Sequence, residues 1–156
     1  MCKLYGRSKR DERCYGSAPG SWETSTMISS LRLDGSTECI VFDGAIDKPT
    51  FRSYMKEVLF PVLCAGDIVV LDNLSSHKDK ETIEYFESHG IQLLFLPAYS
   101  PDLNPIEKMW SKVKSILREV AAEDSASLFE AIRAAFARIT SENAKGWFES
   151  CGYFQF

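Results

Sequence analysis

Two short apolar runs, each bounded by turn-forming residues, dictate the architecture of this chain. Residues 68–71 (IVVL) are all apolar and rich in β-branched side chains, and residues 91–96 form a second, mostly apolar run. Runs of this length and composition are typical of strands that are buried on both faces. Residues 79–88 have helical spacing and end at His89-Gly90. The sequence therefore predicts a strand–helix–strand unit with two buried strands.

The rest of the chain alternates in the same way between extended and helical patterns. A period of two before and after Asp34-Gly35 predicts a hairpin over residues 26–34 and 38–42. A helical period follows over residues 51–63, with Thr50 as its cap. The proline-rich segment 97–105 is a linker, and helices are expected at 105–120, 125–139 and 141–150. This order predicts an α/β sheet with mixed strand directions.

Composition narrows the class of protein further. The chain has 156 residues, 45% of them hydrophobic, which suits one domain over residues 1–156. No apolar run is long enough to span a membrane, and the first ten residues are too charged for a signal peptide. Five scattered cysteines without a C-x-x-C pair favour a reducing compartment. The net charge of −4 argues mildly against a simple basic nucleic-acid binder.

Asp72 is the first residue with a chemical signature, because it directly follows the buried strand at 68–71. The carboxyl ends of strands in open α/β sheets are where ligands bind, so a carboxylate there is available to a metal. The alternative is a turn formed by Asp72 and Asn73. His77 follows in the same loop and is either a proton shuttle, a phosphate contact or an ordinary polar loop residue.

Glu107 is the second candidate, in the first turn of the long helix. Helical spacing places it on one face with Lys114 and Arg118, and a carboxylate beside basic residues suits metal-assisted chemistry on a phosphate backbone. The alternative is structural, since Asn104 and Glu107 also fit a capping box. Spacing alone favours the cap.

Two blocks of sequence together resemble a known family. Residues 70–78 (VLDNLSSHK) and 96–114 (LPAYSPDLNPIEKMWSKVK) look like the catalytic core of DDE transposases, and most of all like the bacterial IS630 family, which is related to Tc1/mariner. The 34 residues between Asp72 and Glu107 are typical of that superfamily. The resemblance implies a ribonuclease-H-like fold, a five-stranded mixed sheet with helices on both faces.

The resemblance also implies a mechanism and its partners. Three carboxylates hold two divalent metals, Mg²⁺ or Mn²⁺, and Asp72 and Glu107 match the second and third carboxylates. The reaction is cleavage and joining of double-stranded DNA at transposon ends and target, by a homodimer or larger assembly in the bacterial cytoplasm, associated with the nucleoid. The residues expected to contact DNA are basic or aromatic side chains near the two blocks and in the N-terminal segment: Arg7, Arg13, His77, Lys112, Lys114 and Arg118.

One part of the family pattern has no counterpart in this sequence. In the family the first carboxylate ends the first, central strand, just upstream of the segment that matches Leu4–Arg7 here. We therefore expect an N-terminally incomplete catalytic domain that lacks the central strand, is poorly stable alone and is inactive alone. Two alternatives remain: a non-catalytic DNA-binding or regulatory remnant of a transposase, and a generic α/β enzyme in which Asp72 and Glu107 are only a turn and a cap.

Overall fold

The structure is a computed structural model that describes residues 9–12, 25–120 and 125–153. None of the helices in these ranges is long and apolar enough to cross a membrane. The strands are β1 (Ser25–Ser29), β2 (Cys39–Asp43), β3 (Ile68–Leu71) and β4 (Gln92–Phe95). The α-helices are α1 (Lys48–Ser53), α2 (Lys80–Ser88), α3 (Pro105–Val120), α4 (Ser125–Phe136) and α5 (Ser141–Ser150).

The strands pair as the patterns predict, but within the described residues they form two separate sheets. β1 and β2 are antiparallel, with Met27 opposite Val41, which confirms the hairpin. β3 and β4 are parallel, with Val69 opposite Leu93, which confirms the strand–helix–strand unit and the mixed directions. No strand in the described ranges joins the two pairs into one sheet.

Two hydrophobic cores lie on either side of the β1–β2 hairpin. Alternate side chains of β1 point to opposite faces, so Ile28 belongs to one core, with Phe51 and Met55, and Met27 packs against the other core, which contains Met109. The first core contains the helical segment that begins at α1, together with α2. The second core contains α3 and α4. The hairpin is therefore the middle layer of three.

The expectation that β3 and β4 are buried on both faces is wrong. Val69 and Leu93 pack against the first core, but on the opposite face Ile68 is 59% exposed and Leu94 is 44% exposed. Among the described residues, the second core contains no β3 or β4 side chain. An apolar run indicates what a strand can bury, whereas the neighbouring layer decides what it does bury.

The segment after β2 also departs from the expected helix. Asp47, rather than Thr50, caps α1, because the Asp47 carboxylate accepts from the backbone N–H of Thr50 at 2.8 Å. The chain then widens into a π-helix over Tyr54–Leu59 and tightens into a 3₁₀ turn over Phe60–Val62. Phe51, Tyr54 and Met55 are nonetheless buried, so the apolar face was predicted correctly.

Candidate active site

Asp72 directly follows β3, and its side chain is 40% exposed. Oδ1 accepts a hydrogen bond from the backbone N–H of Leu74 at 3.3 Å, so the turn predicted for this position is present. The same oxygen lies 2.5 Å from Nδ1 of His77. Within the described residues, no hydrogen bond or ion pair engages the second oxygen, Oδ2. A turn-forming role and a free carboxylate oxygen therefore coexist in one residue.

His77 lies inside the fold rather than on an open surface. Its side chain is 16% exposed, and its ring stacks on Phe51 with centroids 4.2 Å apart and planes at 25°. Sequence reasoning placed Phe51 in the core from its helical period but missed its contact with His77, because 26 positions separate the two residues and no local pattern joins them.

Glu107 is presented at the start of α3 by an anchored linker. The backbone N–H of Leu96 donates to the carbonyl of Leu71 at 2.8 Å, which holds the start of the linker beside the end of β3. At its far end, the Tyr153 hydroxyl donates to the carbonyl of Leu103 at 3.1 Å, and Asn104 is buried. The backbone N–H of Glu107 donates to the carbonyl of Asn104 at 3.1 Å, and the Glu107 side chain is exposed.

One cavity of about 440 Å³ brings these residues together. Asp72, His77 and Glu107 all line it, although they come from three different segments. Residues 27–33, which include the end of β1, and residues 67–72, which include all of β3, also line it. The cavity thus extends along both sheets and contains the two candidate carboxylates.

The remaining residues expected to contact DNA differ in their surroundings. Arg7 and Arg13 lie outside the described residues. Lys112 donates to the carbonyl of Arg138 at 2.6 Å and to the Asn143 side chain, so its ammonium group ties α3 to the start of α5.

Lys114 and Arg118 are exposed on α3, where the predicted basic stripe places them. Because a basic side chain needs a free head group to contact phosphate, Lys114 and Arg118 remain the stronger candidates on this helix.

The donor chemistry of the cavity suits a hard divalent cation. Asp72 and Glu107 supply carboxylate oxygens, which are the ligands that Mg²⁺ prefers. In the part of the chain that the structure describes, no group of three His, Cys, Asp or Glu side chains is placed to hold a metal. Asp72 and Glu107 are suitable ligands for a divalent cation, but two carboxylates are fewer ligands than a complete protein metal site supplies.

Comparison with known proteins identifies the family. A family model described as DDE superfamily endonuclease matches residues 1–129. The chain belongs to the DDE superfamily of endonucleases. It is 35% identical to the transposable element Tcb1 transposase of Caenorhabditis briggsae over 77% of the chain and 42% of that protein. It is 26% identical to the Tcb2 transposase of the same organism over 73% of the chain and 40% of the relative.

A third relative is the transposable element Tc1 transposase of Caenorhabditis elegans, 27% identical over 74% of the chain and 41% of its own length. The resemblance to DDE transposases related to Tc1 is confirmed, and the narrower IS630 assignment stays a prediction. The DDE chain spans about 40% of the length of these relatives. Membership of this superfamily implies dependence on a divalent metal.

Proposed function

We propose that this chain is the greater part of the catalytic domain of an IS630-like transposase, which in the complete protein cleaves double-stranded DNA at transposon ends and joins it to a target. One observation carries the proposal: Asp72 and Glu107, which are separated by 34 residues, line the same cavity. A shared cavity is what a pair of metal-binding carboxylates from distant segments requires. The relatives, which are transposases by name, support the same conclusion.

The carboxylates of Asp72 and Glu107 hold the metal ions, and their oxygens suit Mg²⁺ or Mn²⁺. Divalent metal held by these carboxylates would supply activation of the attacking hydroxyl and stabilisation of the leaving oxygen during in-line displacement at phosphorus. Lys114 and Arg118 contact the DNA backbone from the exposed face of α3, which makes binding dependent on salt. The complete protein acts as a dimer or larger assembly on the DNA.

A third carboxylate enters on a strand that fills the cavity between the two sheets. Among the described residues β1 pairs only with β2 and β3 only with β4, so each strand has one edge without a partner, and residues of β1 and β3 line the cavity. Arg32, just after β1, makes a paired ion contact with Asp67, just before β3, with N–O distances of 3.0 and 3.2 Å. β1 and β3 therefore run in opposite directions along the cavity.

A strand inserted there can pair with both edges, parallel to β3 and antiparallel to β1. Its carboxyl end then lies at the Asp72 end of β3, where a terminal Asp completes the set of metal ligands. Six residues, at roughly 3.3 Å each, span about 20 Å and match the length of residues 67–72. The apolar lining from Ile28, Val70 and Trp110 requires apolar side chains on the strand.

Plasmid nicking tests the proposal in two forms of the chain. The 156-residue chain is expected not to nick supercoiled plasmid in Mg²⁺ or Mn²⁺, because two carboxylates do not hold both ions. The same chain, extended at its N-terminus by an apolar strand that ends in Asp, is expected to nick and to melt at a higher temperature. Changing that terminal Asp to Asn removes nicking and leaves the gain in melting temperature.

The controls separate catalysis from folding. In the extended chain, Asp72→Asn and Glu107→Gln abolish nicking, whereas Glu119→Gln, which changes an exposed carboxylate on the same helix as Glu107, does not. Nicking that persists in Asp72→Asn would overturn the assignment. DNA binding that is unchanged by chelator, with no nicking in any form, would instead identify a non-catalytic remnant of a transposase.

A further inference from the structure

The two oxygens of Asp72 have different surroundings. Oδ1 contacts both the backbone N–H of Leu74, at 3.3 Å, and Nδ1 of His77, at 2.5 Å. Oδ2 has neither contact. A carboxylate held through one oxygen cannot rotate freely about its Cβ–Cγ bond, so the direction of the other oxygen is set by the protein. His77 supplies one of the two contacts that fix it.

Phe51 also fixes the position of His77, by stacking on one face of its ring. Phe51 is 3% exposed and stacks on the imidazole at 4.2 Å, with the planes only 25° apart. Because Phe51 lies in the first core on α1, the stacking ties the imidazole to the buried core as well as to its own loop.

Nδ1 of His77 has one available partner. The atom is shielded from solvent, and Oδ1 of Asp72, at 2.5 Å, is the one contact found for it among the described residues. At this distance the two atoms are close enough to share a proton, although the pair does not have the geometry of a regular hydrogen bond. Because a buried nitrogen left unpaired is destabilising, donation of the Nδ1 proton to Oδ1 is favoured.

We propose that His77 is a positioning residue: Nδ1–H donates to Oδ1 of Asp72, Phe51 holds the ring in place, and Oδ2 is left directed toward the cation. The inference rests on the metal-binding role of Asp72 in the proposed function and deepens it. It also gives His77 a role other than the expected phosphate contact, since a ring that is 16% exposed and occupied on one face by Phe51 has little surface to offer DNA. Partners that orient metal ligands typically change metal affinity 10–100-fold.

The first experiment detects the contact between His77 and Asp72 in the absence of metal. The chain has two histidines, so long-range ¹H–¹⁵N spectra of the 156-residue chain resolve both rings. We expect His77 to carry its proton on Nδ1, and Asp72→Asn to shift the His77 resonances while those of His89 stay in place. A His77 ring protonated on Nε2 alone, or one unaffected by Asp72→Asn, would overturn the proposal.

The second experiment measures Mn²⁺ affinity by electron paramagnetic resonance in the chain extended at its N-terminus by the apolar strand that ends in Asp, because that form has all three carboxylates. His77→Phe keeps a ring to stack on Phe51 but removes the donor, and is expected to weaken Mn²⁺ binding about tenfold with little change in urea stability in chelator. His77→Asn, which retains an N–H donor, is expected to recover part of the affinity.

His89→Phe is the matched control, because His89 is exposed and bonds the Tyr85 carbonyl instead of a cavity residue. Equal Mn²⁺ affinity in the wild-type chain and His77→Phe would refute the positioning role.

Failure of the proposed function gives a different pattern. If Asp72→Asn and Glu107→Gln bind Mn²⁺ as the wild-type chain does, or if no form binds it, the metal site is wrong. In that case His77 does not orient a metal ligand, and the ¹⁵N spectra still decide whether His77 donates to Asp72.

Discussion

Removing the charge of Asp79 should destabilise the chain in a way that depends on pH. Asp79 caps α2 by accepting from the Thr82 backbone N–H at 3.2 Å, and it pairs with Arg52 of α1 through two N–O contacts of 2.8 Å. Its side chain is only 11% exposed. The hydrogen bonds from the Arg52 guanidinium, followed by those from Thr82, outweigh the effect of burial and lower the pKa of Asp79 from 3.8 to about 2.

The magnitude follows from this pKa. A carboxyl whose pKa falls by nearly two units on folding contributes about 2 kcal/mol to the free energy of unfolding when it is ionised. Because the pKa in the folded state is the lower one, this contribution is present above about pH 4 and is lost as the pH falls toward 2. Asp79→Asn removes it at neutral pH while leaving an oxygen that caps the helix.

Urea unfolding of the wild-type chain and Asp79→Asn at a series of pH values measures the difference. We expect Asp79→Asn to be less stable by about 2 kcal/mol at pH 7 and the two curves to converge near pH 2. Glu84→Gln, on the exposed side of the same helix, is the control and should change little. A difference between wild type and Asp79→Asn that stays constant from pH 7 to pH 2 would refute the ion-pair argument.

Three further predictions concern the backbone and the basic face. Gly35→Ala should lower the free energy of unfolding by several kcal/mol, because a Cβ there meets backbone atoms at the start of α5 at 2.9 Å. Gly44→Ala is the control: its Cβ meets nothing within 4 Å, so it adds only the strain of a positive φ. Thermal melts compare the two variants. Tyr99→Gly should raise urea stability by up to about 1 kcal/mol, because Tyr99 has φ +58 and is fully exposed; no gain would contradict the strain. Lys112→Gln should lower the melting temperature, whereas Lys114→Gln should instead weaken DNA binding and its salt dependence in a filter-binding assay. If Lys112→Gln weakens DNA binding and Lys114→Gln lowers the melting temperature instead, the roles given to these two side chains are wrong.

Local features of the sequence predicted most of the helices and strands and the positions of Asp72 and Glu107 at the ends of two of them. Pro105 at the start of α3, with a run of apolar residues at helical spacing behind it, produced a helix that begins where expected. The apolar run at 68–71 became β3 with the expected bounds. These signals are strong because they depend on the backbone and side chains of neighbouring residues alone.

Two predictions were wrong, for different physical reasons. The exposure of Ile68 depends on which layer stands beside β3, and no local pattern carries that information. The capping role of Asp47 instead of Thr50 depends on the exact residue at which a helix begins, and competing caps lie three positions apart. The partners of Lys112, Arg138 and Asn143, are 26 and 31 positions away, so the sequence did not indicate these contacts, and the role of Lys112 on DNA stays a prediction.

The sequence by itself determined the α/β alternation, the strand that ends at Asp72, the helix that presents Glu107 and, through the two blocks around them, the DDE family. Each of these rests on periodicity, turn chemistry or residue spacing along the chain. The tertiary structure alone decided that Asp72 and Glu107 line one cavity, that residues of β1 and β3 line it too, and that His77 contacts both Phe51 and Asp72. These are contacts between distant segments, and they exist only once hydrophobic burial has brought those segments together.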